Sequence, residues 1–285
     1  MAVVKRALPS APDRKKKPSD PVEYGSTFAL PSERSTPASE MGAYSWLIFG
    51  EKKIGKTTLA SMFDNALFLM TEPGAKSLSV YQVAVPNWST AREALKALRT
   101  DTQFATIVVD TVDLAFKMCE KFVCQKLAID HPSDEDWGRG WSAVRDEFTQ
   151  WIQQLMLLDK GIIFISHSTE REIKTRSGQK YDRVQPTMAN QARDVIEGMV
   201  DIWAYYTYEG SQRVLIIRGD EHVSAGHRLQ KNFRYNGADL TKIDMGTTPQ
   251  EAYRHLVDAF NNRYAPALVS AEQAAPVSLK KMRRA

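Results

Sequence analysis

Trp46 to Ala60, WLIFGEKKIGKTTLA, is the stretch on which the reading of this chain turns. Apolar Trp46 to Phe49 has the pattern of a short buried strand, and Thr57 to Ala60 can open a helix. Gly50 to Lys56 must therefore turn sharply between them. Such a turn suits a phosphate. Gly50 and Gly55 let the backbone come close without a Cβ in the way, successive N–H groups point inward, and the start of the helix adds partial positive charge. The spacing satisfies G-x-x-x-x-G-K-[ST] at every fixed position, with Gly50, Gly55, Lys56 and Thr57. This pattern takes ATP with Mg2+: the lysine reaches the β- and γ-phosphates and the Thr57 hydroxyl ligates the ion. Thr58, the next residue, completes the nucleotide-binding set. Lys52 and Lys53 fill variable positions and read equally well as solvated loop charges or as phosphate contacts.

A chain of 285 residues can bury a sizeable core, and its net charge of +4 permits an anionic partner without demanding one. Cys119 and Cys124 lie five apart in a helical stretch, which makes neither a disulfide framework nor a four-ligand zinc site. Buried reduced thiols in a cytoplasmic protein are expected. No apolar run approaches a membrane span, and no signal-peptide core opens the sequence.

Three segments are expected. Residues 1–40 are rich in Pro, Ser and charge with little periodicity, so a disordered basic leader is expected there. Its run Arg14 to Lys17 suits either a nucleic-acid arm or a solubilising leader. Residues 265–285 read as a flexible basic tail. Between them, residues 41–264 alternate strand and helix in the manner of a twisted, mainly parallel α/β sheet with helices on both faces. Strands are expected at Ser45–Phe49, Ala66–Met70, Thr106–Val109, Gly161–Ile165, Met199–Tyr206 and Arg213–Arg218. Helices are expected at Lys56–Phe63, Thr90–Arg99, Val112–Ala128 and Trp141–Leu158.

In such folds ligands sit at the carboxyl ends of the strands, so the residues that follow each apolar run carry the chemistry. Asp110 follows TIVV, where an acid beside a phosphate loop can hold Mg2+; it would also serve as a helix N-cap. Asp113 reads as first-turn helix charge. Glu72 follows LFLM and can accept a proton from the water that attacks the γ-phosphate, or it is the acid of a Pro-Gly turn. Ser166-His167-Ser168 follows GIIFI and can sense the γ-phosphate. Next comes STEREIKTRSGQKYDRVQP, a long polar segment expected to be a mobile loop. Its Arg171, Lys174, Arg176, Lys180 and Arg183 suit a phosphodiester backbone and Tyr181 a base, unless the acids Glu170, Glu172 and Asp182 make it a plain solvated loop.

GEKKIGKTT, FLMTEPG, TIVVDTVD and IIFISHS, in this order, resemble the ATPase core of the RecA superfamily, and in style its phage-encoded annealing and recombination members. The resemblance spans about Tyr44 to Tyr235. It implies a water-activating glutamate at Glu72, a Walker-B aspartate at Asp110 and a γ-phosphate sensor at His167. It also implies DNA-binding loops after His167 and near Trp137 and Arg139. Lys231, with Arg228 second, would complete the ATP site of an adjacent subunit. The resemblance implies a DNA-stimulated ATPase that binds single-stranded DNA as a homo-oligomer or filament in the host cytoplasm, with a single-strand-binding protein as a further partner and no membrane. The second loop lacks RecA's glycine-rich character, and the large flanking domains of full-length recombinases are not expected here, which leaves annealing or DNA-stimulated hydrolysis alone rather than strand exchange. A phosphotransferase or regulatory ATPase that does not act on DNA is the alternative. His222, His227 and His255 lack metal spacing, and Trp203, Tyr205 and Tyr206 alternate as core residues.

Overall fold

A computed structural model describes residues 31–266; the leader cations Arg14 to Lys17 and the terminal tail lie outside the described residues. Residues 31–37 form no helix or strand. From Ala38 the described residues form one compact unit. Its strands are β1 (Ser45–Gly50), β2 (Ala66–Met70), β3 (Tyr81–Ala84), β4 (Thr106–Asp110), β5 (Gly161–Lys174), β6 (Lys180–Pro186), β7 (Ile202–Glu209), β8 (Gln212–Ile216), β9 (Gly226–His227), β10 (Arg234–Tyr235), β11 (Ala238–Asp239) and β12 (Lys242–Asp244). The helices are α1 (Lys56–Ala60), α2 (Trp88–Leu98), α3 (Val112–Leu127), α4 (Arg139–Met156), α5 (Asn190–Met199) and α6 (Pro249–Phe260).

The main sheet runs β12-β8-β7-β1-β5-β4-β2-β3. Its centre, from β7 to β3, is parallel, and β8 and β12 add antiparallel strands at one edge. This is the mainly parallel α/β sheet expected from the alternation of strand and helix. The uninterrupted apolar strands follow from burial on both faces. Leu47, Phe49, Val109 and Phe164 face a core shared with α2, α3, α4 and α5, while Trp46, Ile48, Val108 and Ile165 face one shared with α1 and α6. Each fully buried Val, Ile or Leu contributes about 1.5–3 kcal/mol through the apolar area removed from water.

Several elements depart from expectation. Helix α1 ends at Ala60 rather than Phe63, because the chain turns there to enter β2. Met199 closes α5 instead of opening a strand, since Asn190 to Met199 is amphipathic and buries Ala192, Val195 and Ile196. The largest departure is β5. It runs on past Ile165 to Lys174 and pairs antiparallel with β6, so the segment expected as a mobile loop is a β-hairpin. Its turn closes at Thr175, whose N–H donates to the Gln179 carbonyl at 2.8 Å, with Gly178 left-handed at φ 88°.

Candidate functional site

Strand register gathers the motifs. Gly50 lies opposite His167 across β1 and β5, Asp110 opposite Ile165 across β4 and β5, and Met70 opposite Asp110 across β2 and β4. All these strands are parallel, so the residues just past each carboxyl end meet at one edge of the sheet. Thr71 fixes one junction: it donates from its N–H to the Asp110 carbonyl (2.9 Å), and its hydroxyl accepts from the Thr111 N–H (2.8 Å). Glu72 thereby emerges beside β4.

Gly55 has φ +112°, the left-handed region that favours glycine, and it turns the loop into α1. Gly50 is required for another reason than phosphate approach. A Cβ there would lie 2.0 Å from the Tyr206 carbonyl oxygen of β7, so the neighbouring strand enforces the glycine. Lys56 is buried inside the loop, where its Nζ donates to the carbonyls of Gly50 (2.9 Å) and Glu51 (2.7 Å). Burial pulls its pKa down to about 8, against the opposing pull of the Asp110, Asp113 and Glu72 carboxylates. A desolvated ammonium inside a turn of this shape fits a phosphate anion, which would restore its full charge. Because α1 is only Lys56–Ala60, the loop amides and Lys56 carry more of that attraction than a helix dipole does. Thr58 is half-buried in α1; Lys52 and Lys53 are exposed.

Asp110 is 4% exposed, and burial raises its pKa, with the Thr57 hydrogen bond opposing and Glu72 adding to the rise. Thr57 Oγ1 donates to Asp110 Oδ2 at 2.7 Å. Thr111, not Asp110, stands at the N-cap of α3, so the aspartate is not a helix cap. A hydroxyl beside a desolvated carboxylate is a donor pair that suits Mg2+, which takes one or two protein oxygens and completes its shell with water and phosphate oxygens. No cluster of three or more His, Cys, Asp or Glu able to hold a metal occurs among the described residues.

His167 bridges the two other candidates. Its Nδ1 lies 3.5 Å from Lys56 Nζ and its Nε2 3.6 Å from Glu72 Oε1. An ammonium can only donate, so Nδ1 is the ring nitrogen placed to accept from Lys56, and Nε2 is the one turned to the carboxylate. A cleft of about 830 Å3 opens beside them, lined by Glu51, Glu72, Asp113, Lys117, His167 and Thr187 among others. Sequence reasoning missed Asp113: its Oδ1 accepts from Ser166 and Thr187, a tertiary junction that one residue on a helix cannot announce.

The five hairpin cations do not form one stripe. Cross-strand pairs share a face, so Arg171 and Arg183 lie with Ile173 and Tyr181, while Lys174 and Lys180 lie on the other face with Glu172 and Asp182. Lys180 pairs with Glu172 at 2.8 Å. Arg183 is half-buried beside a recess lined by Glu197 and Asp201. Tyr181 is also half-buried, with its ring edge-on to His222 at 5.8 Å between centroids, so it does not stand open to a base. Lys174 and Lys180 face each other directly at the tip, with Arg176 in the turn.

The remaining candidates sit apart from this cluster. Trp137 is 97% exposed in a turn before α4, and Arg139 pairs with Glu135 at 3.6 Å. Lys231 is exposed and its carbonyl accepts from Asn262; Arg228 donates to the Gly198 carbonyl. Cys119 and Cys124 are buried free thiols. No described helix is long and apolar enough to cross a membrane.

The family profile described as AAA domain matches residues 43–229, which contain every motif above. The chain belongs to that family. This AAA-domain protein is similar to the SPbeta prophage-derived uncharacterized protein YorG of Bacillus subtilis (strain 168), 26% identical over 130 residues. That match covers 43% of this chain and 40% of YorG, so the chain spans well under half of that relative's length. Similar solved structures include the RadB recombinase, 15% identical with TM-score 0.38 over 64% of this chain and 83% of that one. A KaiC-like protein from Pyrococcus horikoshii OT3 is 12% identical with TM-score 0.43, over 73% and 87%. Family and motifs together make the chain a P-loop protein of the AAA-domain family.

Proposed function

We propose that this protein is an ATP-hydrolysing, single-stranded-DNA-binding protein of phage-type recombination or annealing, acting as a homo-oligomer in the host cytoplasm. The observation that carries the reading is the position of His167, which touches both Lys56 and Glu72 and is the residue from which the hairpin strand β5 leaves the sheet. Bound ATP with Mg2+ would supply the phosphoanhydride and the charge-neutralising ion. Lys56 and the loop amides hold the β- and γ-phosphates, with Gly50, Gly55, Thr57 and Thr58 shaping the cradle. Thr57 and Asp110 hold the ion. Glu72 accepts the proton of the attacking water, and His167 orients that carboxylate.

DNA contact is assigned to the tip of the hairpin. Like charges directly opposite one another in a sheet repel, and an anion between Lys174 and Lys180 relieves that cost; Arg176 in the turn extends the same patch. Arg171 stands closer to the root, where it donates to Asn190 at 3.3 Å. Lys231, with Arg228 second, is assigned to the ATP site of an adjacent copy. The prophage origin of YorG supports the phage setting, and the reading leaves annealing and strand exchange as separate outcomes of assay.

One observation favours a second reading. The outward face of the hairpin balances Lys174 and Lys180 against Glu170, Glu172 and Asp182, and the cleft beside Glu72 is roomy enough for a small acceptor. A phosphotransferase or regulatory ATPase would use it. Measuring ATP hydrolysis with and without single-stranded DNA across a salt series separates the two. DNA-stimulated turnover that fades with salt supports the first reading, and turnover indifferent to DNA supports the second.

A further inference from the structure

We propose that Asp113 is a positioning residue that clamps the root of the hairpin to helix α3 and carries the nucleotide state from His167 into the hairpin. The inference rests on the ATP-site reading above and adds the part through which that site moves its DNA-facing element.

One carboxylate oxygen holds three elements together. Asp113 Oδ1, in the first turn of α3, accepts from Ser166 Oγ on β5 at 3.0 Å and from Thr187 Oγ1 just past the end of β6. These two donors flank His167. Ser166 precedes it in the chain, and the Thr187 N–H donates to the His167 carbonyl at 2.9 Å. The Ser166 side chain is fully buried, so its hydroxyl needs an acceptor, and Asp113 supplies a charged one. His167 touches Lys56 and Glu72 at the other side of the same junction. A shift of His167 toward or away from those groups must therefore be absorbed at the Asp113 junction or passed along β5 and β6.

Asp113 Oδ2 is buried and accepts from no described residue, which leaves a second acceptor beside the first for the Ser166 or Thr187 hydroxyl. Two discrete hydrogen-bond patterns around one residue are what a switching element requires. A merely structural clamp would lower stability without making the hairpin respond to nucleotide.

The test is amide hydrogen exchange over residues 168–186 of the full chain, with ADP and with a non-hydrolysable ATP analogue. The parent is compared with Asp113→Ala, Asp113→Asn and Thr187→Val. The parent should show hairpin protection that differs between the two nucleotides. Asp113→Ala should lose the difference, with kcat down about tenfold because a misplaced His167 misorients Glu72, and with KM for ATP within about twofold. Asp113→Asn, which keeps an acceptor oxygen, should retain the difference. Thr187→Val changes an exposed residue and keeps the variant set informative if Asp113→Ala fails to fold; it too should lose the difference. Persistence of the nucleotide difference in Thr187→Val or in a folded Asp113→Ala overturns the clamp and leaves the ATP site standing. A parent whose hairpin ignores the nucleotide overturns the coupling reading itself, and the clamp with it.

Discussion

His167 stands between Glu72 and Lys56, 3.6 Å from the carboxylate through Nε2 and 3.5 Å from the ammonium through Nδ1. Both separations are slightly longer than hydrogen bonds, as is common for catalytic groups before the reacting complex tightens them. One imidazole thus links the buried loop lysine to the carboxylate just past the end of β2. Glu72 and His167 face the cleft beside the root of the hairpin.

Lys56→Ala should abolish nucleotide binding. It removes the buried ammonium that the carbonyls of Gly50 and Glu51 hold in the loop. Fluorescent-nucleotide titration of a folded variant, verified by circular dichroism, checks this. Affinity within a few fold of the parent would sink the phosphate-loop assignment.

Glu72→Gln should bind ATP as the parent does and hydrolyse it about 100-fold or more slowly, since the amide keeps the shape and loses the proton acceptor. Single-turnover hydrolysis separates the step from product release. Unchanged turnover would return Glu72 to the role of a turn acid before Pro73 and Gly74.

Nucleotide binding should take up a proton above pH 8. The Lys56 pKa of about 8 in the folded chain is below its ordinary 10.5, so between those values the folded chain holds fewer protons than the unfolded one and stability rises with pH through that window. An anion in the loop favours the ammonium and raises the pKa again. Apparent affinity should therefore be flat below pH 8 and fall above it, by at most about tenfold per pH unit. Calorimetry at pH 9 in two buffers of different ionisation enthalpy reads the uptake directly. Equal heats in both buffers would show that binding takes up no proton there, against a shift at Lys56.

The strands and their terminal residues were legible in the sequence because parallel strands buried on both faces leave unbroken apolar runs, and TIVVD and GIIFIS are such runs. Gly50, Gly55, Lys56 and Thr57 were singled out by motif spacing, and Asp110 by its place at a strand end beside that loop. The hairpin was not legible, because EREIKTRSGQKYDRV lies beyond the buried part of the sheet and carries the composition of a loop, even though Ile173 and Tyr181 alternate with charges. Composition also could not show that alternation sorts Arg183 away from Lys174. Asp113 looked like dipole charge because its partners, Ser166 and Thr187, are supplied only by the tertiary fold.

The hairpin tip offers the sharpest separation of a DNA-binding protein from a generic ATPase. If Lys174 and Arg176 each neutralise a phosphate of a single strand, each contributes a slope of about −0.7 to log affinity against log salt through released counterions. Replacing both by alanine should flatten that slope by about 1.4 and weaken binding alike for every sequence. Arg183→Ala should leave the slope as it was, because that side chain is half-buried beside Glu197 and Asp201 rather than at the tip. His167→Ala should act differently again: if His167 reads the nucleotide, DNA affinity should stop differing between ATP and ADP while the tip cations still bind. Salt titrations of a fluorescent oligonucleotide with each nucleotide check all three variants together. An unchanged slope in the tip variant would move the DNA contact to Trp137 and Arg139. A parent that binds no oligonucleotide at low salt would hand the cleft beside Glu72 to a small-molecule acceptor.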